Sequence, residues 1–227
     1  MNSPPAVAGR GREVYAGRSR EQRESERRDR IVAAAVHLFA TRDYDEVTVA
    51  DVCGAAKVSK RYFYDHFTDR ADLLFQVHTE QNSWLLAALV AAGPPAGSIE
   101  ELVTPVMSTL TRLLREHPER ARVIYVNAPR MEVRRRGLLH EEAVLLGDLI
   151  LRSGGTPRDR RLFDRAVLCL VAGVTELLIE WVVQGFTEPA GELADHLTTI
   201  AVSMLQGVPV EPGPAYRPAV SHHAPER

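Results

Sequence analysis

A run of cationic and aromatic residues after Val58 has the composition of a surface that contacts nucleic acid. The run contains Lys60, Arg61, Tyr62, Tyr64 and His66. Lysine and arginine can donate hydrogen bonds to guanine edges or phosphates, and tyrosine and histidine can donate to phosphate oxygens. Charge alone leaves a second interpretation open, a solvated face of a small helical subdomain, because Asp65, Asp69 and Asp72 offset the nearby cations.

Two short helices joined by a tight turn must position these side chains. Thr48 can cap a helix over about 49–56 and Ser59 another over about 60–66, since each hydroxyl can accept from a free N–H group of the first turn. A helix over about 22–42 precedes them. This order predicts a helix-turn-helix unit. Its predicted inner face consists of Val52, Ala55, Ala56, Val58, Phe63 and Phe67, which leaves the cationic and aromatic set pointing outward.

These residues resemble the N-terminal domain of the tetracycline-repressor (TetR) family. The resemblance is carried by residues 48–52, 58–67 and 70–74 and spans about 31–75. The remaining two thirds of the chain resemble the family only in the number and length of the helices. The resemblance implies a homodimeric transcriptional regulator, usually a repressor, that a small molecule releases from its double-stranded DNA operator.

The resemblance also implies which residues contact DNA. They are Thr48, Ser59, Lys60, Arg61, Tyr62, Tyr64, His66 and Arg70. Thr48 corresponds to a phosphate contact that caps the second helix. Residues 59–62 correspond to the groove-facing start of the recognition helix, and Tyr64 and His66 to its phosphate contacts. Arg70 stands where the family usually has a lysine that reaches the DNA backbone from the fourth helix.

Two departures from the family pattern affect the turn and the recognition helix. Lys57 replaces the usual turn glycine, at a position where a positive φ is expected, so the turn either differs or carries mild strain. Arg61 and Tyr62 replace small residues and place bulk in the groove, so the sequence does not give the operator.

Both ends of the chain differ in composition from its middle. Residues 1–20 mix arginine with proline and glycine, and 208–227 contain five prolines, so both are predicted to be disordered. For the arginine-rich residues 1–20, called the basic arm below, an alternative role is insertion into a DNA minor groove. The net charge is −2, but residues 1–30 hold eight arginines against five acids, and 137–207 hold five arginines against ten acids. The basic N-terminal segment and the acidic C-terminal segment therefore favour different partners.

Helical periodicity accounts for the rest of the chain. A long helix is predicted to start at Thr68 or Asp69 and to reach about Ala92. Five more are predicted over about 98–116, 118–127, 129–152, 157–184 and 188–206. No strand is predicted. We therefore expect an all-α protein of about nine helices, with a DNA-binding domain over 21–75 and a larger helical domain for ligand binding and dimerisation over 76–207.

The larger domain has two predicted tasks. Its last two helices should pair with a second copy, because 162–183 is apolar nearly all round. Its interior should hold a small, largely apolar effector, since apolar walls with a few polar groups typify small-molecule sites. The candidate pocket residues are Met107, Leu110, Tyr125, Asn127, Met131, Cys169, Glu176 and Trp181. Glu176 and Glu180 indicate either a cationic ligand or a dimer rim, and Arg134-Arg135-Arg136 either a solvated face or an anion site.

Other functional classes find little support in the sequence. The histidines have no metal-binding or catalytic spacing, so neither an enzyme nor a cofactor or metal is predicted. Cys53 and Cys169 form no C-x-x-C motif, and a redox role for Cys53 is the less favoured alternative to packing. The longest near-apolar run, 166–174, is shorter than a membrane span, which predicts no membrane partner and a cytoplasmic location. Two alternatives stay open, a helical ligand-binding or scaffolding dimer that does not read DNA, and a small-molecule-modifying enzyme. The effector, the target genes and the sign of regulation are not given by the sequence.

Overall fold

The computed structural model describes residues 20–93, 98–127, 132–152, 155–208 and 210–212. The N-terminal elements agree with the predicted ones to within two residues. They are α1 (Arg20–Thr41), a 3₁₀ turn (Tyr44–Glu46), α2 (Val49–Ala56), α3 (Lys60–Tyr64) and α4 (Arg70–Ala92). The agreement follows from strong local signals, because side chains of Thr48, Ser59 and Asp69 each cap the helix that follows.

Five further helices complete the described chain. They are α5 (Ile99–Glu116), α6 (Pro118–Ala121), α7 (Glu132–Arg152), α8 (Arg160–Val183) and α9 (Ala190–Gln206). With nine α-helices in the described residues, the predicted all-α class is confirmed. The predicted single helix over 118–127 is wrong in detail, because Arg122–Val126 adopts a π-helical conformation after α6.

The prediction that the chain contains no strand is also wrong. Two three-residue strands, β1 (Gly155–Pro157) and β2 (Val210–Pro212), pair antiparallel with Thr156 opposite Glu211. Segments this short carry no readable period, so the predicted disordered tail over 208–227 included residues that form β2. The rest of that tail from 213 onward and the arm up to residue 19 lie outside the described residues.

Two hydrophobic cores share the long helix α4. The first core packs α1, α2 and α3 around Phe39, Phe63 and Phe67 and includes Val77 of α4. The second packs α5, α7, α8 and α9 and includes Leu85, eight residues further along α4. Because α4 has 23 residues, it extends roughly 35 Å. The predicted domain boundary at 75–76 thus falls inside a continuous helix that contributes to both cores.

α8 is more apolar than its own core requires. Its buried residues face the second core, but Leu162, Leu177 and Val183 are exposed. By length and composition it could span a membrane, with a mean hydropathy of 2.1 over its most apolar window, of which 33% is buried. The apolar run 166–174 does not reveal this property by itself, because Glu176 and Glu180 interrupt the apolar stretch that follows it. Core helices of water-soluble proteins have the same composition, so this feature alone is weak evidence of a membrane span.

Candidate nucleic-acid interface and internal cavity

Reciprocal hydrogen bonds with Asp51 fix the start of α2 at Thr48. The Thr48 hydroxyl accepts from the Asp51 N–H at 3.1 Å, and the Asp51 carboxylate accepts from the Thr48 N–H at 2.9 Å and from its hydroxyl at 2.7 Å. These bonds lower the pKa of Asp51, with the side-chain bond from Thr48 as the largest cause. Both Thr48 donors are thus committed to the cap, and a phosphate contact would have to compete with Asp51.

The turn between α2 and α3 keeps the left-handed geometry that glycine usually provides. Lys57 has φ 54° and ψ 48°, and its N–H donates to the carbonyls of Cys53 and Gly54. The turn therefore does not differ in shape, and the mild strain is the consequence of placing a side chain there. Cys53 beside it is buried, and burial raises the pKa of its thiol. That environment favours packing over the alternative redox role.

α3 is anchored by two phenylalanines and presents charged residues outward. Phe63 and Phe67 are 0% and 1% exposed, and their ring centroids lie 5.5 Å apart. Lys60 and Arg61 are exposed, as is Tyr64 at 57%. Ser59 lies at the start of the helix, where its hydroxyl accepts from the Tyr62 N–H at 3.3 Å. The outward face predicted from the sequence is therefore present at these positions, although Ala55 of the predicted inner face is exposed.

The prediction that Tyr62 and His66 point away from the protein is only partly right. Both are half-buried, with ring centroids 5.9 Å apart, and the Arg27 guanidinium lies 4.3 Å from the centre of the Tyr62 ring. The Nε2 atom of His66 is buried without a hydrogen-bond partner. The physical reason is helical spacing, because Tyr62 and His66 are four residues apart and so share a face. This face lies against α1, where Arg27 contacts the Tyr62 ring.

Arg70, which the resemblance implies as a phosphate contact, makes hydrogen bonds within the protein in this structure. Its Nη1 donates to the carbonyl oxygens of Val47 at 2.7 Å, Tyr44 at 2.9 Å and Asp45 at 3.2 Å. Its guanidinium also lies 4.1 Å from the centre of the Tyr44 ring. Arg70 therefore ties the start of α4 to the loop between α1 and α2. Sequence reasoning could not find these partners, because backbone carbonyls leave no residue signature.

Comparison with known proteins identifies this helix-turn-helix unit. Residues 31–77 match the model for bacterial regulatory proteins of the tetR family. The HTH-type transcriptional regulator HbdR of Aromatoleum sp. (strain CIB) is 40% identical over 50 residues, which is 22% of this chain and 22% of HbdR. Residues 31–77 are therefore similar to the helix-turn-helix domain of the tetR family. The 50 aligned residues are about as long as the helix-turn-helix unit, so the likeness to HbdR says nothing of the larger helical part.

Solved structures extend the likeness in fold to most of the chain. A TetR-like regulator from Rhodococcus sp. RHA1 aligns over 84% of this chain and 100% of its own, with a TM-score of 0.63 and 21% identity. FadR from Bacillus subtilis, solved in complex with stearoyl-CoA, aligns over 78% and 98%, with a TM-score of 0.65 and 17% identity. At these identities the likeness shows the fold of this chain and no more.

The larger helical part of the chain contains an apolar cavity of about 100 Å³. Three of the predicted pocket residues, Met107, Leu110 and Tyr125, lie in its lining. The lining also contains Asn82 and Glu142, which the sequence analysis missed. A signal for Asn82 existed, since on the periodic pattern of α4 it falls on the face that buries Leu74 and Leu85, where a polar residue is unexpected.

The other predicted pocket residues that the structure describes lie elsewhere. Cys169 and Glu176 are exposed, because they fall on the outer face of α8. Trp181 is buried, but its Nε1 donates to the Glu188 carbonyl at 2.9 Å near the start of α9. Met131 lies outside the described residues, as do the side chains of Arg134, Arg135 and Arg136. Periodicity assigns a residue to the inside of a helix but does not say which cavity it faces.

Asn82 and Glu142 form the polar part of the cavity. The Asn82 Nδ2 donates to the Glu142 Oε1 at 3.0 Å. Burial raises the pKa of Glu142, and the bond from Asn82 partly opposes that effect. Burial, with a smaller contribution from the Glu142 charge, also raises the pKa of Tyr125. The Tyr125 phenol therefore stays neutral. The protonation state of the Glu142 carboxyl, in contrast, depends on pH and on the groups that contact it.

The π-helical segment Arg122–Val126 connects the cavity to α1. Tyr125 lines the cavity, whereas Val123 is buried in the first core. At its two ends, the Arg122 Nε donates to the Ala40 carbonyl at 2.7 Å and the Asn127 Nδ2 donates to the Phe39 carbonyl at 2.9 Å. Asn127, predicted to line the pocket, thus holds the C-terminal end of α1 instead.

Proposed function

We propose that this chain is a ligand-responsive transcriptional regulator that binds an operator as a homodimer. The observation that carries the proposal is the outward face of α3, where Lys60, Arg61 and Tyr64 are exposed while Phe63 and Phe67 are buried behind them. We further propose that it acts as a repressor in the cytoplasm, and that a small, largely apolar molecule releases it from DNA.

In this proposal α3 enters the major groove of double-stranded DNA. Lys60 and Arg61 contact base edges or phosphates, and the Tyr64 hydroxyl contacts a phosphate. Ser59 and Tyr62 lie at the start of the helix, where the groove is closest. Tyr62 contributes mainly by its outer edge, since its ring packs against Arg27. His66 has a supporting role, because its buried Nε2 cannot reach a phosphate without a rotation of the ring.

The exposed apolar residues of α8 and α9 support a dimer. Val183 is 60% exposed, Ile200 40% and Leu177 38%. Pairing these helices with those of a second copy buries the apolar side chains that the first copy leaves in water. A two-fold axis between the copies would place two recognition helices about 34–36 Å apart, the spacing of successive major grooves.

The π-helical segment supports a route for the ligand response. A ligand that displaces Tyr125 also moves residues 122–126, whose ends hold the carbonyls of Ala40 and Phe39 at the end of α1. The present cavity, at about 100 Å³, is smaller than the roughly 300–1,000 Å³ typical of ligand sites. A ligand must therefore widen it, and it favours the DNA-free state only if that state has the wider cavity.

Operator binding by the purified protein tests the proposal. The assay is fluorescence anisotropy or gel shift with DNA from upstream of the protein's own gene. Lys60→Ala should weaken binding by about tenfold, the effect of about 1.4 kcal/mol, and Tyr64→Phe should weaken it through loss of the phenol hydroxyl alone. Arg112→Ala serves as the control, because Arg112 is an exposed cation on α5 that pairs with Glu116.

Unchanged binding by the Lys60 and Tyr64 variants, with folding verified by circular dichroism, would refute the proposed interface. If the wild-type protein binds no DNA but is a dimer in sedimentation, the scaffolding alternative is correct instead.

A further inference from the structure

The charge of the cavity lining narrows the class of ligand that this protein can take. We propose that the cavity between α4, α5, α7, α8 and the π-helical segment binds an apolar organic cation whose ammonium group contacts the Glu142 carboxylate. The inference rests on the proposed ligand response and specifies the chemistry of its ligand.

Among the described residues that line the cavity, no side chain is basic. The polar members are Asn82, Tyr125, Glu142 and Thr175, and the others are leucine, valine and methionine side chains. An acidic head group would find no counter-charge there and would face the carboxylate of Glu142. Moving an anion from water into such surroundings is costly unless it is paired. The lining therefore disfavours acids.

Glu142 has acceptor capacity left for a ligand. An ionised carboxylate can accept about four hydrogen bonds, and Asn82 supplies one of them, to Oε1. Asn82 also fixes the carboxylate at the cavity wall, so an incoming ammonium group would meet an oriented acceptor. A buried charge of this kind is stabilised by a partner of opposite sign.

Among the described residues that line the cavity or the smaller one beside it, none supplies that partner. His78 lines a smaller adjacent cavity together with Glu142, but its Nε2 is engaged with the Ile124 carbonyl at 3.1 Å, and burial lowers its pKa. Tyr125 is neutral, and Glu141 adjacent in the chain adds a second negative charge. The Tyr125 ring in the lining can further attract a cation through its face. A ligand cation would complete the site.

Three probes with the same apolar chain and different head groups test the inference. Isothermal titration calorimetry would compare decylamine, 1-decanol and decanoate, all below their micellar concentrations and near neutral pH. We expect decylamine to bind about tenfold or more tightly than the other two, the effect of one charge-assisted contact. Glu142→Gln, which retains the shape and an acceptor for Asn82, should lose that preference without weakening decanol binding.

Two variants control the experiment. Glu141→Gln removes the same charge from an exposed neighbour and should leave decylamine binding within about twofold. Glu142→Asp retains the charge and should recover part of the preference, which separates a charge effect from a folding defect. Stronger binding of decanoate or decanol, or the same decylamine affinity in Glu142→Gln, would overturn the inference and leave the proposed ligand cavity in place. Absence of decylamine binding would overturn it as well, whereas the DNA-reading proposal depends on Lys60 and Tyr64 and would be unaffected.

Discussion

Substitution of Arg70 distinguishes a structural tie from a DNA contact. In the structure its guanidinium donates to three carbonyls of the loop between α1 and α2, and its side chain is 29% exposed. Arg70→Met removes these bonds together with the contact to the Tyr44 ring. Arg70→Lys keeps the positive charge but offers a compact ammonium in place of the planar guanidinium, which cannot reproduce the same arrangement.

The size of the effect follows from these contacts. Hydrogen bonds to a charged donor contribute about 1.5–3 kcal/mol when buried, and an exposed cation–π contact about 0.5–1 kcal/mol. Water can solvate the carbonyls freed by the substitution, because Arg70 is partly exposed. We therefore expect a loss of about 2 kcal/mol in the free energy of unfolding, or roughly 4–8 °C in Tm for a chain of this size. For Arg70→Lys, we expect a loss in the free energy of unfolding of at least about half that of Arg70→Met.

Two measurements separate the possibilities. Thermal unfolding followed by circular dichroism reports the stability, and hydrogen exchange should show faster exchange in the loop and the first turn of α2. The salt dependence of operator binding reports phosphate contacts, since each contact contributes about 0.9 to the slope of log K against log salt. If Arg70 has a structural role, its substitution should lower the thermal stability and leave the slope of log K against log salt unchanged. An unchanged Tm together with a slope reduced by about one would refute the structural role and restore the phosphate contact.

Three further predictions address the turn, the cavity and the dimer. Lys57→Gly should raise the free energy of unfolding by about 1 kcal/mol because it relieves the left-handed strain at φ 54°, whereas Lys57→Ala should give no gain in the same urea titration. Since burial raises the pKa of Glu142, the stabilising protonated form is fully present below the unfolded-state pKa and is lost as pH rises through the folded-state pKa. Glu142→Gln should therefore match the wild-type stability near pH 4 and exceed it above the raised pKa, and a wild-type advantage at high pH would contradict the assignment. Leu177→Glu should convert the proposed dimer to a monomer in sedimentation velocity, whereas Val144→Glu, an exposed site on α7, should not.

Local signals account for the elements that the sequence predicted well. Thr48 and Ser59 cap their helices at the predicted residues, because a hydroxyl can satisfy an N–H group only a few positions away. The burial of Phe63 and Phe67 follows equally from their spacing. The resemblance to the family, which usually has a glycine at the turn, left two alternatives for Lys57, a different turn or a positive φ with mild strain, and the structure has the positive φ.

Longer-range features were predicted poorly. Of the predicted pocket residues that the structure describes, Met107, Leu110 and Tyr125 line the cavity. Asn127 instead contacts the carbonyl of Phe39, a residue 88 positions away. The side-chain period places a residue inside or outside its own helix. It carries no information on which other helix lies opposite.

The sequence by itself thus determined the all-α class, the order of the helices and the outward cations of α3, because capping, periodicity and turn length act over a few residues. Only the tertiary structure decided that Arg70 holds the α1–α2 loop, that Asn82 orients Glu142, and that residues 122–126 join the cavity to α1. These contacts connect residues 23 to 82 positions apart, and the packing of whole helices brings them together.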